Sequence, residues 1–372
     1  MKNLILLLLP FFLFACKGED AKNEKDQVKH LDVFSESAEK LSFQFIRMVP
    51  LESGEDILIG GRFGLKVHND EFFVLDKKNQ RVLRFNSEGE FLNKIGKPGR
   101  GPKEYKGLDD FSIQRDTVYF LDGGAQTTIT GYRKSGDFLY SKTFDIPSRC
   151  FEKVKSKYVI YSSYNSISSS PFRLKTIDEK GNIKNTYLKN NTKLTYPVPA
   201  NLLQFGSVIY FQEGYHNSTY ILESSDLEKT YTFDFGEYSI PDAFFEMDRR
   251  EGLNLIQNKG FASLRCYFGN KAIDVFEVLV IQKNKDAKVF HIIYDRQQNR
   301  LYRKKFNMDS DNYLPYKQST SVTRNNELIY LSSAYGIIEN RESLKDVVVN
   351  DKALEGMEEN DNPVVLFCEI NK

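Results

Sequence analysis

Few residues in this 372-residue chain have the types and spacing that chemistry requires. The strongest candidate is GKPGRGPKEY, Gly96 to Tyr105. Gly96, Gly99 and Gly101 could turn backbone N–H groups toward an anion, while Lys97, Arg100 and Lys103 could add positive charge. The segment has no GK[ST] ending and lacks the GxGxxG order, so it is neither a Walker loop nor a dinucleotide fingerprint. A rigid connecting loop explains its three glycines and two prolines without a ligand, and turn chemistry favours that reading.

The four histidines, His30, His68, His216 and His291, are scattered and make no HExxH spacing, so a histidine metal site is not expected. A Ser-His-Asp triad assembles in space and has no fixed order in sequence, but no GxSxG elbow is present. EEND (Glu358 to Asp361) and DSDN (Asp309 to Asn312) could offer oxygen ligands to Ca²⁺, yet neither has the EF-hand order. Solvated loops are the default there, and no cofactor is expected. Cys150, Cys266 and Cys368 fit neither a zinc ribbon nor a CxxC pair and read as small buried hydrophobes, at least one of them a free thiol. Tyr105, Tyr164, Tyr215 and Tyr335 fall on expected loops, where flat rings can stack on sugars or anchor a protein. With Arg100, Lys103 and His216 they form the candidate binding set. Packing on neighbouring elements is the competing role for each ring.

The elements that must position these residues announce themselves by repetition. FFVLD (Phe72 to Asp76) returns as VYFLD (Val118 to Asp122), YVIYS (Tyr158 to Ser162), VIYFQ (Val208 to Gln212), VLVIQ (Val278 to Gln282) and LIYLS (Leu328 to Ser332). Starts lie roughly 40 to 70 residues apart, which is the period of propeller blades. Each run reads as a strand buried on both faces. Gly89, Gly136 and Gly181 recur at one interval after an alternating segment and read as positive-φ hairpin residues. The expectation is all-β: one six-bladed β-propeller over residues 41–372, each blade four antiparallel strands with the repeated core second from the axis.

The chain opens with Lys2 and an apolar run, Leu4 to Phe14, too short to span a bilayer and suited to a secretion signal. Ala15 before Cys16 resembles the lipobox of bacterial lipoproteins, which implies a signal over residues 1–15, lipidation at Cys16 and anchoring in a membrane. Residues 16–40 continue after Cys16 as KGEDAKNEKDQ, carry charge rather than apolar bulk, and are expected to be a disordered tether. Lys17, Glu19 and Asp20 resemble the acidic export signal of some Gram-negative surface lipoproteins, with Gly18 intervening. A plain solvated linker explains them equally. Lys and Arg number 52 against 51 Asp and Glu, and no basic cluster tracks phosphates, so nucleic acid is not an expected partner.

FFVLDKKNQRVLRFNSEGEFLNKIGKPGRGPKEY resembles an NHL-type repeat through Val74, Leu75, Asp76, Asn79, Arg81, Val82, Phe85, Gly89, Phe91, Leu92, Ile95 and Gly96. With VPLES (Val49 to Ser53) and the lipobox, the chain resembles the six-bladed β-propeller lipoproteins of Gram-negative bacteria, a group largely without assigned activity. The likeness is tightest over residues 43–145. Blades three to six lose the Asp, Arg and Gly signatures, so the resemblance speaks for fold more than for function. It implies an outer-membrane lipoprotein, periplasmic or surface-exposed.

A ring of sheets must close. PVVLFCEI (Pro363 to Ile370) is the last strong strand and leaves blade six one strand short, so LSFQFIRMVPL (Leu41 to Leu51) is expected as its outer strand. The long connections, 96–107, 163–171, 189–200, 235–260 and 333–362, are then all expected on one face, where binding belongs. Two of them look helical. The first has Pro241 near its first turn, Phe244, Phe245, Leu253 and Ile256 as apolar positions and Gly260 at the stop; the second has Asn340 as N-cap. Each helix is expected to pack its apolar side on the ring. The function expected is a noncatalytic binding module for a protein or glycan, working as a monomer. The rival is a propeller-type hydrolase or lyase with a metal in the axial channel.

Overall fold

The computed structural model describes residues 28–164, 171–190, 198–282, 286–308, 310–316, 319–323 and 325–371. The signal segment, Cys16 and the start of the expected tether lie outside the described residues. Blade one comprises Phe63–His68, Glu71–Asp76, Arg81–Phe85 and Phe91–Ile95, and blade two Asp110–Gln114, Thr117–Asp122, Thr127–Arg133 and Phe138–Phe144. Blade three comprises Cys150–Val154, Lys157–Tyr161, Phe172–Asp178 and Ile183–Lys189. Blade four is Ala200–Phe205, Val208–Glu213, Ser218–Glu223 and Asp226–Asp234, and blade five Gly260–Gly269, Ile273–Gln282, Lys288–Asp295 and Arg300–Asn307. Blade six is Ser319–Val322, Leu328–Ser332, Val364–Ile370 and, as its outer strand, Phe43–Pro50. The molecule is a six-bladed β-propeller, and every repeated core is the second strand of its blade.

Why those cores are apolar throughout follows from the packing. Phe72 and Val74 join the cluster shared with blade six, whereas Phe73 and Leu75 join the cluster shared with blade two. Alternate side chains thus face opposite neighbours, and both faces are buried. Burying each large side chain contributes on the order of 2 kcal/mol. Asp76 ends the first core with no exposed surface; it accepts from Asn79 N at 3.2 Å, Asn79 Nδ2 at 2.7 Å and Arg81 Nε at 3.1 Å. The Asp, Asn and Arg of the NHL-like signature therefore lock a turn.

The fourth strands of blades one to four each carry a bulge, an extra residue at Leu92, Leu139, Lys184 and Thr230, opposite the third-strand step into Phe85, Tyr132, Ile177 and Tyr220. Four residues later stand Gly89, Gly136 and Gly181, with φ of 87°, 96° and 90°, and in blade four Ser224 at 57°. At Gly89 a Cβ would meet the Pro50 carbonyl oxygen at 2.1 Å, so blade one needs glycine there for space as well as for φ.

Closure uses the expected strand: Val364 pairs with Pro50, Leu366 with Met48 and Ile370 with Phe43. Asn362 ties the junction, donating to Glu52 O at 2.7 Å and accepting from Ile59 N at 2.7 Å. One expectation is corrected. Within the segment expected to be a disordered tether, Lys29–Asp32 pairs in parallel with the outer strand of blade four and Glu39–Lys40 with that of blade five. Leu31 and Val33 alternate inward and are buried, which is enough to hold a short edge strand that composition alone conceals.

The helical insertions are present with shifted details. The first is a 3-10 turn, Asp242–Glu246, then a helix, Arg249–Lys259, held by an Asp248–Glu251 capping box and stopped at Gly260. Its Leu255 and Ile256 pack inward beside Phe244, whereas Leu253 is exposed, so the apolar stripe sits differently from the one expected. The second insertion begins earlier than Asn340, with a helix Ala334–Glu339 capped by Ser333 Oγ. Asn340 links it to Arg341–Leu344 and makes no side-chain cap. Its Nδ2 instead donates to Gly336 O at 2.9 Å.

Candidate functional site: the long-loop face and the axis

In each blade, the connection from strand two to three and that from strand four to the next blade leave by the same face. The strand order places segments 96–109, 235–259 and 333–363 there, together with the described parts of 162–171 and 190–199. On the other face, connections from strand one to two are tight turns, with positive φ at Asn69, Asp70, Arg115, Lys155 and Asn326.

The glycine loop is filled by its own carboxylate. Glu104 accepts from Gly101 N at 2.8 Å and pairs with Lys97 at 3.2 Å. These contacts, the Gly101 bond first, hold its carboxyl below the usual range. A Cβ at Gly99 would meet Glu104 Oε2 at 1.9 Å. The nest an anion would enter is occupied from within. Tyr105 is buried, lies edge-on to Phe120 at 4.9 Å and donates to Gln80 O at 2.7 Å, so the loop clasps blade one to blade two. Arg100 and Lys103 are exposed above it. Gly99, Arg100 and Lys106 line a shallow cleft of about 470 Å³.

Tyr164 is also buried, which removes it and Tyr105 as open stacking platforms. Its hydroxyl hydrogen-bonds His216 Nε2, and the Arg173 guanidinium lies 4.7 Å from its ring. Arg173 grips Glu213 with Nε to Oε1 at 2.7 Å and Nη2 to Oε2 at 3.0 Å. The His216 ring stacks on Phe245 at 4.6 Å. Burial lowers the His216 pKa against the pull of Glu213, so the imidazole is neutral near pH 7. Tyr215, at φ 68°, is half-buried against Phe244 and Phe261. Tyr335 stands 42 % exposed on the blade-six insertion. Of the residues singled out in sequence, Tyr164 and His216 are brought into contact. Arg100, Lys103 and Tyr105 share one loop, and Tyr335 belongs to another blade.

The sequence reading named no residue on the axis. First strands of neighbouring blades meet there, and the residue paired with the second position of each repeated core is polar in every blade: Lys66, Ser112, Glu152, Gln204, Ser263 and Ser321. Three of these meet. Lys66 Nζ donates to Glu152 Oε1 at 2.5 Å, Ser112 Oγ donates to Glu152 Oε2 at 2.5 Å, and Lys153 N donates to Ser112 Oγ at 3.0 Å. Burial raises the Glu152 carboxyl and Lys66 opposes it; burial depresses Lys66, but the charges of Glu152 and Asp110 outweigh it and hold the ammonium above its ordinary pKa. Burial, with Asp110 second, pushes the Cys150 thiol well up, so it stays protonated and is no nucleophile. A divalent ion would have to displace Lys66 from Glu152. Among the described residues no three His, Cys, Asp or Glu side chains gather as a ligand set. This donor set does not fit the axial metal of the rival reading.

Residues 25–369 match the model of DUF4934, a domain of unknown function. A Bacteroides fragilis crystal structure, described as a "putative exported protein", is similar at 18 % identity and TM-score 0.71, covering 93 % of this chain and 100 % of that one. A member of the duf4221 family from Bacteroides vulgatus is similar at 10 % identity and TM-score 0.57, covering 91 % and 100 %. At these identities the likeness concerns fold. No curated protein sequence matches the chain.

Proposed function

The chain belongs to the DUF4934 family, and from that premise we propose that it is an extracytoplasmic, lipid-anchored β-propeller, a noncatalytic module that presents its long-loop face to a protein or carbohydrate. The observation that carries this reading is the asymmetry of the ring. Long connections, with the exposed Arg100, Lys103 and Tyr335, gather on one face, and tight turns close the other. The axial polar groups of blades one to three satisfy one another, leaving no activated base or nucleophile among them. Export is supported by the apolar start and by the description of the Bacteroides fragilis relative, and anchoring by Cys16 alone. Placement in the outer membrane extends the same reading.

The test is binding of the purified chain to glycan and protein arrays, with two charge-reversed variants. Arg100→Glu with Lys103→Glu alters the long-loop face, and Arg115→Glu with Lys155→Glu alters the opposite one. The proposal expects binding that the first pair weakens and the second leaves intact. Equal loss from both, or turnover of a bound glycan, would contradict it.

A further inference from the structure

The N-terminal segment that pairs with blades four and five through Lys29–Asp32 and Glu39–Lys40 forms a strap, and it builds a cleft of about 410 Å³ at the seam between those blades. Phe34, just past the strap strand, lies 5.7 Å from the Phe290 ring and 5.8 Å from the Tyr238 ring, giving the cleft an aromatic wall. Tyr238 comes from the connection that leads from blade four to blade five, and Lys288 opens strand three of blade five, just after the connection from strand two. Both place the cleft on the rim of the long-loop face.

Lys288 and Lys305 also line it. Phe290 pairs with Lys305 across the strands and Lys288 pairs with Asn307, so the two lysines are diagonal neighbours on the face that carries Phe290. They lie close enough that the charge of Lys288, first among the causes, lowers the pKa of Lys305. Among the described residues neither makes an ion pair. Glu237 lies at the same cleft without reaching ion-pair distance of either. Like charges side by side are unfavourable, and an anion between them relieves the repulsion. The volume suits one small ring-shaped ligand.

We infer that this cleft binds a sugar ring bearing a sulfate or phosphate ester, the ester between Lys288 and Lys305 and the ring against Phe34 and Tyr238. The inference rests on the binding-module reading and narrows its ligand class. The test is calorimetric titration of the full chain with glucose 6-sulfate, glucose 6-phosphate, glucose and inorganic sulfate. Either ester should bind at least tenfold more tightly than glucose or free sulfate. Lys288→Ala with Lys305→Ala should abolish that preference, Phe34→Ala should weaken ester binding several-fold, and Glu237→Gln should strengthen it. No binding of the esters, sulfate binding as tightly as the sugar esters, or an unchanged preference in the lysine variant would each overturn the inference. Failure of the esters to bind, with glycan or protein binding retained elsewhere on the long-loop face, would sink this proposal and leave the module reading standing.

Discussion

Blades one to three and blades four to six share one topology but hold themselves together by different physics. The first half has four-stranded blades, outer strands that in blades one and two alternate between exposed and half-buried residues, and a charged axial contact of Lys66, Ser112 and Glu152. In the second half, blades four and five each gain a fifth strand from the chain's beginning, and blade six borrows its fourth. The seam of blades four and five is aromatic, with Tyr267 stacked on Phe276 at 5.1 Å and Tyr231 donating to Asp274 at 2.5 Å. Where the hairpin glycines Gly89, Gly136 and Gly181 recur, local turns and a central ion pair suffice. Beyond them, the N-terminal segment and ring packing supply the order.

The comparison breaks most visibly at the closure. Ile46 is fully buried in the borrowed strand, so Ile46→Asp should cost about 4 kcal/mol, read from the urea midpoint, because a charge would be left in the core. A loss under about 1 kcal/mol would show that the borrowed strand does not seal the ring.

Next comes the axis. Lys66→Met leaves Glu152 buried without its cation and should cost about 3 kcal/mol, most of it recovered when Glu152→Met is added. The sign with pH follows from the carboxyl. Burial already raises the Glu152 pKa above 4.5 in the folded protein, and losing Lys66 raises it further. The variant's deficit should therefore be small below pH 4.5, where Glu152 is protonated in both states, and grow as pH rises. A deficit that shrinks toward neutral pH would contradict the pairing.

The strap sharpens the contrast from the other half. Leu31→Ala should cost about 2 kcal/mol and speed amide exchange along Tyr231–Asp234, with blade one unaffected. Smallest is Glu104→Gln. It should speed exchange of the Gly101 amide while leaving the melting temperature nearly unchanged, since Glu104 closes an exposed loop.

How much of this is legible in sequence follows the same divide. The six cores, the hairpin glycines and the closing strand can be read because period and alternation are local signals, and Val364 to Ile370 lacks one partner strand. The strap is hidden because KHLDVF shows its alternation only at Leu31 and Val33, and its partners are the backbones of distant blades. The axial layer is readable in principle: a polar residue stands at one register of the first strand in every blade. That Lys66 reaches across to blade three is a fact of three-dimensional closure. Tyr105 and Tyr164 show the same limit. Loop position suggests exposure, and neighbouring blades bury them.

The most direct test is hydrogen exchange of the full chain, free and saturated with its tightest array ligand. The account predicts added protection confined to segments 96–107, 235–259 and 333–362, to the strap around Phe34 and to the strand positions around Lys288 and Lys305 that line its cleft. Protection confined to the tight turns at 68–71, 114–117 and 154–157 would contradict it.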